Sequence, residues 1–314
     1  MKQKAIVGLY VGVVLIFVML CVLSIFEVVR NTTLSDQLKN VKGTSSQAQQ
    51  IKKLQTDLSN EQSSNSKLAA QFNELSSKYQ TLQSNYDNLQ AQINKIQSTK
   101  AKLHIKTVYL TFDDGPSKTT PHVLDVLKEN NIHATFFVVG TAACEYPEMV
   151  KRAYNEGNVI GIHSWTHDYQ YIYKNEENFF LDFNKLKNYL TDLLGIVPNV
   201  CRFSGGTNNT VSQRYSDHIM RKIAPKVAEM GIKDFDWNSY AGDAEKISPT
   251  KEQVISNVMS GISGNTNVVV LFHDTNPNSC DVQALPEIIS RLKALGYGFD
   301  VLSPNTPSVT FKPV

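Results

Sequence analysis

The sequence predicts an α/β domain with a parallel sheet, preceded by a membrane-spanning helix and a coiled-coil stalk. Three observations support this prediction: an uncharged apolar run near the N-terminus, an apolar repeat within a polar segment, and a C-terminal alternation of apolar strands with amphipathic helices. They divide the 314 residues into three parts, 1–29, 30–100 and 101–314.

Residues 5–26 form an apolar run without a charged side chain, which predicts a transmembrane helix. At about 1.5 Å per residue, a helix of this length crosses a hydrocarbon layer of about 30 Å. Lys2 and Lys4 precede the run and favour a cytoplasmic N-terminus with export of the remaining chain. The alternative is a cleaved signal peptide, but no small-x-small cleavage site follows the run. We therefore expect a single-pass protein of the cell membrane whose C-terminal domain is extracellular.

Residues 30–100 are rich in Ser, Gln, Asn and Lys, and they carry a repeat that predicts a coiled coil. Its two columns are Ile51, Leu58, Asn65, Phe72, Tyr79, Tyr86 and Ile93, and Leu54, Glu61, Leu68, Leu75, Leu82, Leu89 and Ile96. Only Asn65 and Glu61 interrupt this apolar seam, and a polar Asn in a seam commonly fixes its register. The alternative is a lone amphipathic helix or a polar linker. We expect a homo-oligomeric spacer that lifts the C-terminal domain off the membrane.

Composition and charge exclude several classes of protein. The formal net charge of +2 is too balanced for a nucleic-acid binder that works through a broad basic surface. Four cysteines are too few for a disulfide scaffold, and without a CxxC pair they argue against a Cys-based zinc site. Because Cys144, Cys201 and Cys280 are an odd number, we expect at least one free thiol. The chain contains no P-loop, GxGxxG motif or nucleophile elbow.

The C-terminal part alternates apolar runs with amphipathic stretches, which predicts a parallel sheet covered by helices. The predicted strands are 107–112, 134–139, 158–162, 199–203, 232–237, 268–272 and 298–302. The predicted helices are 119–130, 147–156, 176–194, 213–230, 251–262 and 282–295. This pattern suits either a small barrel or an open doubly wound sheet, and periodicity alone does not choose between them. In both folds, chemistry belongs at the C-terminal ends of the strands.

Polar residues lie at the ends of the predicted strands or follow them. They are Asp113, Asp114, His163, Arg202, Asp236, Asp243, His273 and Asp274. Because parallel strands bring their C-terminal ends to one edge, we expect these residues to converge on one site.

His163 and His167 are four residues apart, so on one turn of a helix their imidazoles would face the same way and could share a metal ion. Asp113 and Asp114 could supply an acidic ligand. Adjacent carboxylates at a strand end point in different directions, so one could bind metal while the other acts as a general base. Two imidazoles and one carboxylate leave open positions, as in hydrolytic zinc sites.

Three further features could assist such a reaction. His273 is a candidate general acid, since the ordinary pKa of histidine is near working pH; the alternative is a solvated histidine at a strand end. Arg202 could hold the base carboxylate in its ionised form, or it could be a surface arginine. Gly205 and Gly206 would let backbone N–H groups approach an oxyanion, or would simply form a turn.

Five motifs resemble those of the polysaccharide deacetylase family, carbohydrate esterase family 4, which includes chitin and peptidoglycan N-acetylglucosamine deacetylases. They are TFDDGP at 111–116, HSWTH at 163–167, RFSGG at 202–206, DWNSYAGDA at 236–244 and LFHD at 271–274. The resemblance spans residues 105–302. It implies a distorted (β/α)7 barrel and metal-dependent N-deacetylation.

The resemblance also implies a role for each matching residue. Asp114, His163 and His167 would bind a divalent metal ion, with Zn²⁺ expected and Co²⁺ or Mn²⁺ as alternatives. The implied catalytic residues are Asp113 as base, His273 as the proton donor to the leaving amine, Arg202 as the residue that orients Asp113, and Asp243 as the partner of His273.

Three residues are implied to contact substrate. The Gly205 N–H would face the oxyanion, Leu271 would line the pocket for the acetyl methyl group, and Trp237 would contact the sugar. The chain departs from the family pattern at Ser204, where Pro is usual, at Tyr240, where Asp is common, and at Ala244, where Trp is common. These departures bear on the shape of the substrate groove rather than on the metal and acid–base residues.

We therefore expect a membrane-anchored, metal-dependent hydrolase that removes N-acetyl groups from N-acetylglucosamine units of an extracellular polysaccharide. A tethered enzyme works on polymer near the membrane, which favours peptidoglycan. One alternative is an O-acetyl esterase or a deacetylase of another exopolysaccharide. The other is a catalytically silent glycan-binding scaffold whose coiled coil is the working part.

Overall fold

The chain divides into two compact units, Met1–Thr99 and Lys100–Val314. The computed structural model describes residues 45–102, 106–245, 247–262, 264–275 and 280–314. The predicted transmembrane helix at 5–26 lies outside these residues. No helix within the described ranges combines the length and apolar character needed to cross a bilayer.

The described residues of the first unit lie in a single long helix. This helix, α1, covers Ser45–Lys102 and is free of Pro and Gly, the two residues that most weaken a helix. Much of the apolar seam is exposed on it, at Leu54, Leu68, Phe72, Leu75, Tyr79, Leu82, Tyr86, Leu89, Ile93 and Ile96. The helical part of the stalk prediction agrees with this structure, and its pairing with a second helix stays a prediction.

The second unit is an α/β domain built on a parallel sheet in the order β5-β4-β3-β2-β1-β7-β6, with β8 beside β1. Its strands are β1 Thr107–Asp113, β2 Thr135–Val139, β3 Val159–Ser164, β4 Val200–Cys201, β5 Lys233–Asp234, β6 Ser239–Tyr240, β7 Asn267–His273 and β8 Gly298–Phe299. Its helices are α2 Thr120–Glu129, α3 Gly140–Glu145, α4 Pro147–Asn155, α5 Tyr169–Ile172, α6 Glu176–Leu194, α7 Ile219–Glu229, α8 Lys251–Ile262 and α9 Cys280–Ala294.

One bent segment joins the two ends of the sheet. The predicted strand 232–237 is in fact the beginning of this segment, whose first part is β5 and whose second part is β6. Phe235 N donates to Cys201 O at 3.0 Å beside β4, and Asn238 N donates to Val269 O at 3.1 Å beside β7. The segment therefore borders β4 and then β7, which curves the sheet into a distorted barrel rather than an open one.

The core lies around the central strand β1, which is buried along its whole length. Phe112 stacks between Phe136 and Phe272, with ring centroids 5.1 and 5.3 Å apart. In register, Asp113 at the end of β1 lies beside His273 at the end of β7. The buried aromatic layer thus sits directly beneath the edge where the predicted polar residues emerge.

The predicted helix 213–230 begins later than expected. A short 3₁₀ turn, Ser212–Arg214, comes first, and α7 starts only after His218, whose φ of 50° is left-handed. A left-handed residue interrupts a right-handed helix, so the apolar periodicity extended the prediction too far.

Candidate active site

The two adjacent aspartates differ in backbone conformation. Asp113 is the last residue of β1, whereas Asp114 has a left-handed φ of 70°. Aspartate is among the residues that adopt this conformation most readily. The Asp114 N–H still donates to Phe137 O at 3.1 Å, which ties the turn to β2. The two carboxylates can therefore serve different roles, as the sequence predicts.

His163 and His167 do not share a helix, so that part of the prediction is wrong. His163 lies in β3, and His167 lies in the turn after it with a left-handed φ of 53°. Their rings nevertheless stack with centroids 5.3 Å apart. The turn, rather than a helical repeat, brings the two imidazoles to one side.

A buried carboxylate that the sequence analysis did not single out shapes this turn. Asp182 on α6 accepts hydrogen bonds from Trp165 N at 2.6 Å, Thr166 N at 3.1 Å and Thr166 Oγ1 at 2.7 Å. Its side chain is buried beside Phe179 and Phe183 on the apolar face of the helix. An acidic residue on such a face needs partners, and that was the signal available in the sequence.

Asp114, His163 and His167 form a three-ligand cluster whose donor atoms lie within 4.8 Å of one another. Asp114 Oδ1 is 3.2 Å from His163 Nε2 and 3.2 Å from His167 Nε2. Ligand atoms around a tetrahedral zinc ion, at bond lengths of about 2.0–2.2 Å, are separated by about 3.3 Å. The spacing of the cluster therefore fits a small divalent cation.

The protonation of His163 makes the same point. Its Nδ1 lies 2.8 Å from the carbonyl oxygen of Arg202, which only accepts, so Nδ1 carries the proton. In the neutral ring the Nε2 lone pair then faces the Asp114 carboxylate, whose buried Oδ1 has no hydrogen-bond partner in the described chain. In that state two acceptors face each other, and a metal ion between them would satisfy both. Fixing the other ring nitrogen on a carbonyl is also how metal-binding histidines are oriented.

The electrostatics of the cluster favour a positive charge at the same place. Burial would raise the pKa of Asp114, but the neighbouring imidazole of His163 lowers it below its ordinary value. Burial would lower the pKa of His163, yet Asp114 and Asp113 raise it. Burial lowers the pKa of His167, which keeps that imidazole neutral and able to bind metal.

Arg202 is fully buried and holds Asp113 in place, so the alternative of a surface arginine is wrong. Its guanidinium donates to Asp113 Oδ1 at 2.7 Å and to Thr111 Oγ1 at 2.8 Å. Its other N–H groups donate to Phe235 O at 2.9 Å and Asp236 O at 3.0 Å. A buried charge pair of this kind is stable only when its hydrogen bonds are satisfied, as they are here.

His273 is held by Asp243. The Nδ1 of His273 lies 2.9 Å from Asp243 Oδ1, and its backbone N–H donates to Asp243 Oδ2 at 2.6 Å. Burial opposes a charge on the ring, but the hydrogen bond and charge of Asp243 raise the pKa of His273 to about 9. The ring is therefore protonated at neutral pH, which suits a general acid.

The glycine turn lies beside this cluster. Gly205 and Gly206 both have left-handed φ values, of 80° and 81°, and Gly206 N donates to Phe203 O at 2.8 Å. The Ser204 carbonyl accepts from Tyr173 Oη at 2.7 Å and Asn209 Nδ2 at 3.0 Å. The Gly206 N–H is therefore occupied by a hydrogen bond within the turn, and the bonds to the Ser204 carbonyl hold the turn in position.

The predicted substrate residues lie next to these groups. Trp237 covers Gly206, since a Cβ on that glycine would lie 3.2 Å from the indole ring. Leu271 and His273 are two residues apart on β7 and so face the same side of the sheet. Leu271 is buried and Trp237 half-buried.

Two of the predicted strand-end aspartates have structural partners instead. Asp236 accepts from Thr207 N at 2.9 Å and Phe311 N at 2.6 Å, which fastens the C-terminal segment to the barrel. Asp274 is buried and accepts from Thr120 Oγ1 at 2.5 Å at the start of α2. The prediction that all the polar residues at the strand ends belong to one site therefore includes two aspartates with structural roles.

Tyr169 is the other residue that the sequence analysis missed. Its ring meets the edge of His167 with centroids 5.4 Å apart and planes at 84°. Burial, followed by the charges of Asp114 and Asp113, raises the pKa of Tyr169 to about 12. An aromatic residue two places after a predicted ligand gives no signal in the sequence that it enters the site.

Comparison with known proteins agrees with this geometry. Residues 100–222 match the family described as polysaccharide deacetylase. A peptidoglycan-N-acetylglucosamine deacetylase of Bacillus cereus is 32% identical over 199 residues, which are 62% of this chain and 68% of the relative. The peptidoglycan-N-acetylglucosamine deacetylase PgdA of Listeria monocytogenes is 31% identical over 202 residues, 64% of this chain and 38% of the relative.

Solved structures give the same result. The catalytic domain of peptidoglycan N-acetylglucosamine deacetylase from Eubacterium rectale is 38% identical, with a TM-score of 0.63 over 66% of this chain and 93% of that chain. A CE4 esterase of Streptococcus mutans is 31% identical, with a TM-score of 0.57 over 66% of this chain and 90% of that chain. The chain belongs to the polysaccharide deacetylase family.

Proposed function

We propose that the chain is a metal-dependent hydrolase that removes N-acetyl groups from N-acetylglucosamine units of an extracellular polysaccharide, with peptidoglycan as the preferred polymer. The observation that carries the proposal is the Asp114 carboxylate facing two imidazole nitrogens 3.2 Å away. A carboxylate base with a buried guanidinium partner and a protonated imidazole border this cluster.

Asp114, His163 and His167 would hold the metal ion, with Zn²⁺ as the first choice and Co²⁺ or Mn²⁺ as alternatives. A bound divalent ion supplies a water molecule of lowered pKa and polarises the substrate carbonyl. The mixed nitrogen and oxygen donors suit zinc and its neighbours better than Ca²⁺ or Mg²⁺, which prefer oxygen ligands alone.

The remaining groups supply the proton transfers of amide hydrolysis. Asp113, held by the Arg202 guanidinium, takes a proton from the attacking water as its oxygen forms a bond to the acetyl carbon. His273 gives its proton to the amide nitrogen as the C–N bond breaks, so the products are acetate and a free amine. Asp243 keeps His273 protonated until that step.

The choice of substrate follows the relatives. Two of them are named peptidoglycan-N-acetylglucosamine deacetylases, and their matches cover 62% and 64% of this chain. An O-acetyl esterase of another exopolysaccharide would use the same acid, base and metal ligands, so it is the rival function. The satisfied pairs Asp113–Arg202 and His273–Asp243 favour an enzyme over a silent glycan-binding scaffold, which would have no need of them.

We also propose that residues 1–29 anchor the protein, that residues 30–100 form a coiled-coil spacer, and that residues 101–314 are the catalytic domain. The uncharged run at 5–26 supports the anchor, and the exposed apolar seam of α1 supports the spacer. A tethered enzyme of this kind would act on polymer close to the outer face of the membrane.

The test uses the full-length chain in detergent, loaded with zinc. Its acetate release is measured on peptidoglycan, N-acetylglucosamine oligomers and O-acetylated polysaccharides. We expect release from peptidoglycan or the oligomers, and its loss in Asp114→Asn together with the bound metal. The matched control is Asp192→Asn at an exposed position of α6, which should keep both. Release from the O-acetylated polymers alone would favour the esterase, and release from none of them would favour the scaffold.

A further inference from the structure

We propose that the hydroxyl of Tyr169 is a further catalytic group, which donates a hydrogen bond to the amide oxygen of the substrate as negative charge develops there. This inference rests on the proposed deacetylation and adds a donor to the Gly205 N–H that the family resemblance implies.

The position of the hydroxyl supports this role. The Tyr169 ring packs against the His167 ring in a T-shaped arrangement. The hydroxyl oxygen of Tyr169 lies 2.9 Å from the place where a Cβ on Gly205 would stand. Tyr169 thus reaches from a metal-binding imidazole to the glycine turn. In the proposed mechanism the oxygen of the scissile amide lies between these two features, because the metal ion that His167 would help to hold would polarise it and the Gly205 N–H would donate to it.

The absence of a side chain at residue 205 is what admits the hydroxyl. Real Cβ atoms essentially never come closer than 3.0 Å to another heavy atom, so any side chain at Gly205 would displace the Tyr169 oxygen. The φ of 80° at Gly205 also disfavours other residues. Hydrogen bonds from Tyr173 and Asn209 to the Ser204 carbonyl hold the turn, so the backbone beside the Tyr169 hydroxyl is fixed in position.

The chemistry of a phenol fits the task. A tyrosine hydroxyl carries one O–H group that can donate a hydrogen bond. Donors held in place before the reaction stabilise an oxyanion better than water does, because they need not reorganise, and losing one typically costs about 10²- to 10³-fold in kcat. A second donor beside the Gly205 N–H would share the charge of the oxyanion.

Tyr169 could instead serve only to hold His167 through its ring. That role requires the aromatic edge and not the hydroxyl, so Tyr169→Phe separates the two. Tyr171 provides the control: it lies two residues further along the same short helix, is exposed, and carries a hydroxyl at the outer surface.

The experiment measures kcat, KM and zinc content of the full-length chain with N-acetylglucosamine oligomers, for the wild type, Tyr169→Phe and Tyr171→Phe. We expect Tyr169→Phe to lower kcat about 10²-fold with KM and zinc content unchanged, and Tyr171→Phe to match the wild type. Unchanged kcat in Tyr169→Phe would refute the inference while leaving the deacetylase intact. A loss of activity that follows a loss of zinc would also refute it, in favour of a structural role. An inactive wild type would overturn the proposed function and this inference together.

Discussion

Asp113 and His273 come from neighbouring strands, and each is paired with a residue whose charge suits its role. Asp113 contacts the guanidinium of Arg202, which stabilises a carboxylate that accepts a proton. His273 contacts the carboxylate of Asp243, which stabilises an imidazolium that donates one. The proposed base therefore has a cationic partner, and the proposed acid has an anionic one.

The pairing of His273 makes a prediction for the dependence of activity on pH. Because protonated His273 is the proposed donor, kcat/KM should fall as pH rises through its pKa of about 9. Asp243→Asn removes the carboxylate that does most to raise this pKa, while the charges of Asp113 and Asp114 still raise it and burial still lowers it. We therefore expect the alkaline limb of the pH profile to move to lower pH.

The control for this experiment is a surface pair of the same composition. Asp217 lies 3.4 Å from the exposed His218, so Asp217→Asn also removes a carboxylate from a histidine, but from one that the proposed reaction does not use. The profile of kcat/KM against pH should not change in that variant. An alkaline limb that stays near pH 9 in Asp243→Asn would show that another group sets it.

At the level of secondary-structure elements, the turn after β3 depends on a side chain from α6. His163 is fixed by the strand and by the Arg202 carbonyl, but His167 depends on how the chain passes through Trp165 and Thr166. Asp182 determines that path with three hydrogen bonds. The second imidazole is therefore positioned by a residue that binds neither metal nor substrate.

This arrangement predicts that Asp182→Asn weakens metal binding. An amide keeps the size of the side chain but offers one acceptor oxygen without charge, so it cannot accept all three hydrogen bonds. Losing a residue that orients metal ligands typically costs about 10- to 100-fold in metal affinity. Equilibrium dialysis of zinc against a competing chelator would measure the loss. Asp192→Asn on the same helix is the control, and equal affinities in the two variants would contradict this role for Asp182.

The sequence predicts the long elements well and the bent ones poorly. Strands β1, β2, β3 and β7 are continuous apolar runs, and their predicted and observed ends agree within about two residues. The segment containing β5 and β6 was predicted as a single strand ending at residue 237, because hydrophobicity does not record where a strand leaves one neighbour for another. Likewise, the spacing of His163 and His167 suggests a helix, while the observed turn is set by Asp182, which is distant in sequence.

The same distinction separates the site residues that could be predicted from those that could not. Five residues lie at the ends of strands whose direction can be predicted from the sequence, so parallel topology alone brings them to one edge of the sheet. They are Asp113, Asp114, His163, Arg202 and His273. Asp182 and Tyr169 lie on helices, and their contribution depends on which neighbour each helix packs against. Sequence patterns carry no such tertiary information when no partner motif accompanies them.

At the scale of the whole molecule, the apolar seam of α1 is exposed to solvent in a single chain. Large apolar side chains such as Leu75 and Leu82 remain about two-thirds exposed in it, at 67% and 66%. Exposed apolar stripes of this length usually mark an interface, and heptad spacing specifies a second helix of the same kind. The polar residues Glu61 and Asn65 interrupt the seam near its N-terminal end, which restricts the registers that align the apolar residues.

We therefore expect a chain beginning near residue 31 to sediment as an oligomer, and one beginning near residue 101 to sediment as a monomer. Leu75→Lys with Leu82→Lys places charges in the seam and should shift the longer chain towards monomer. Ser77→Lys with Ser84→Lys adds the same charges on the opposite face of the helix and should leave the oligomer intact, because only the seam is buried on association. If both chain lengths sediment as monomers, α1 is a lone helix and the spacer does not bring catalytic domains together.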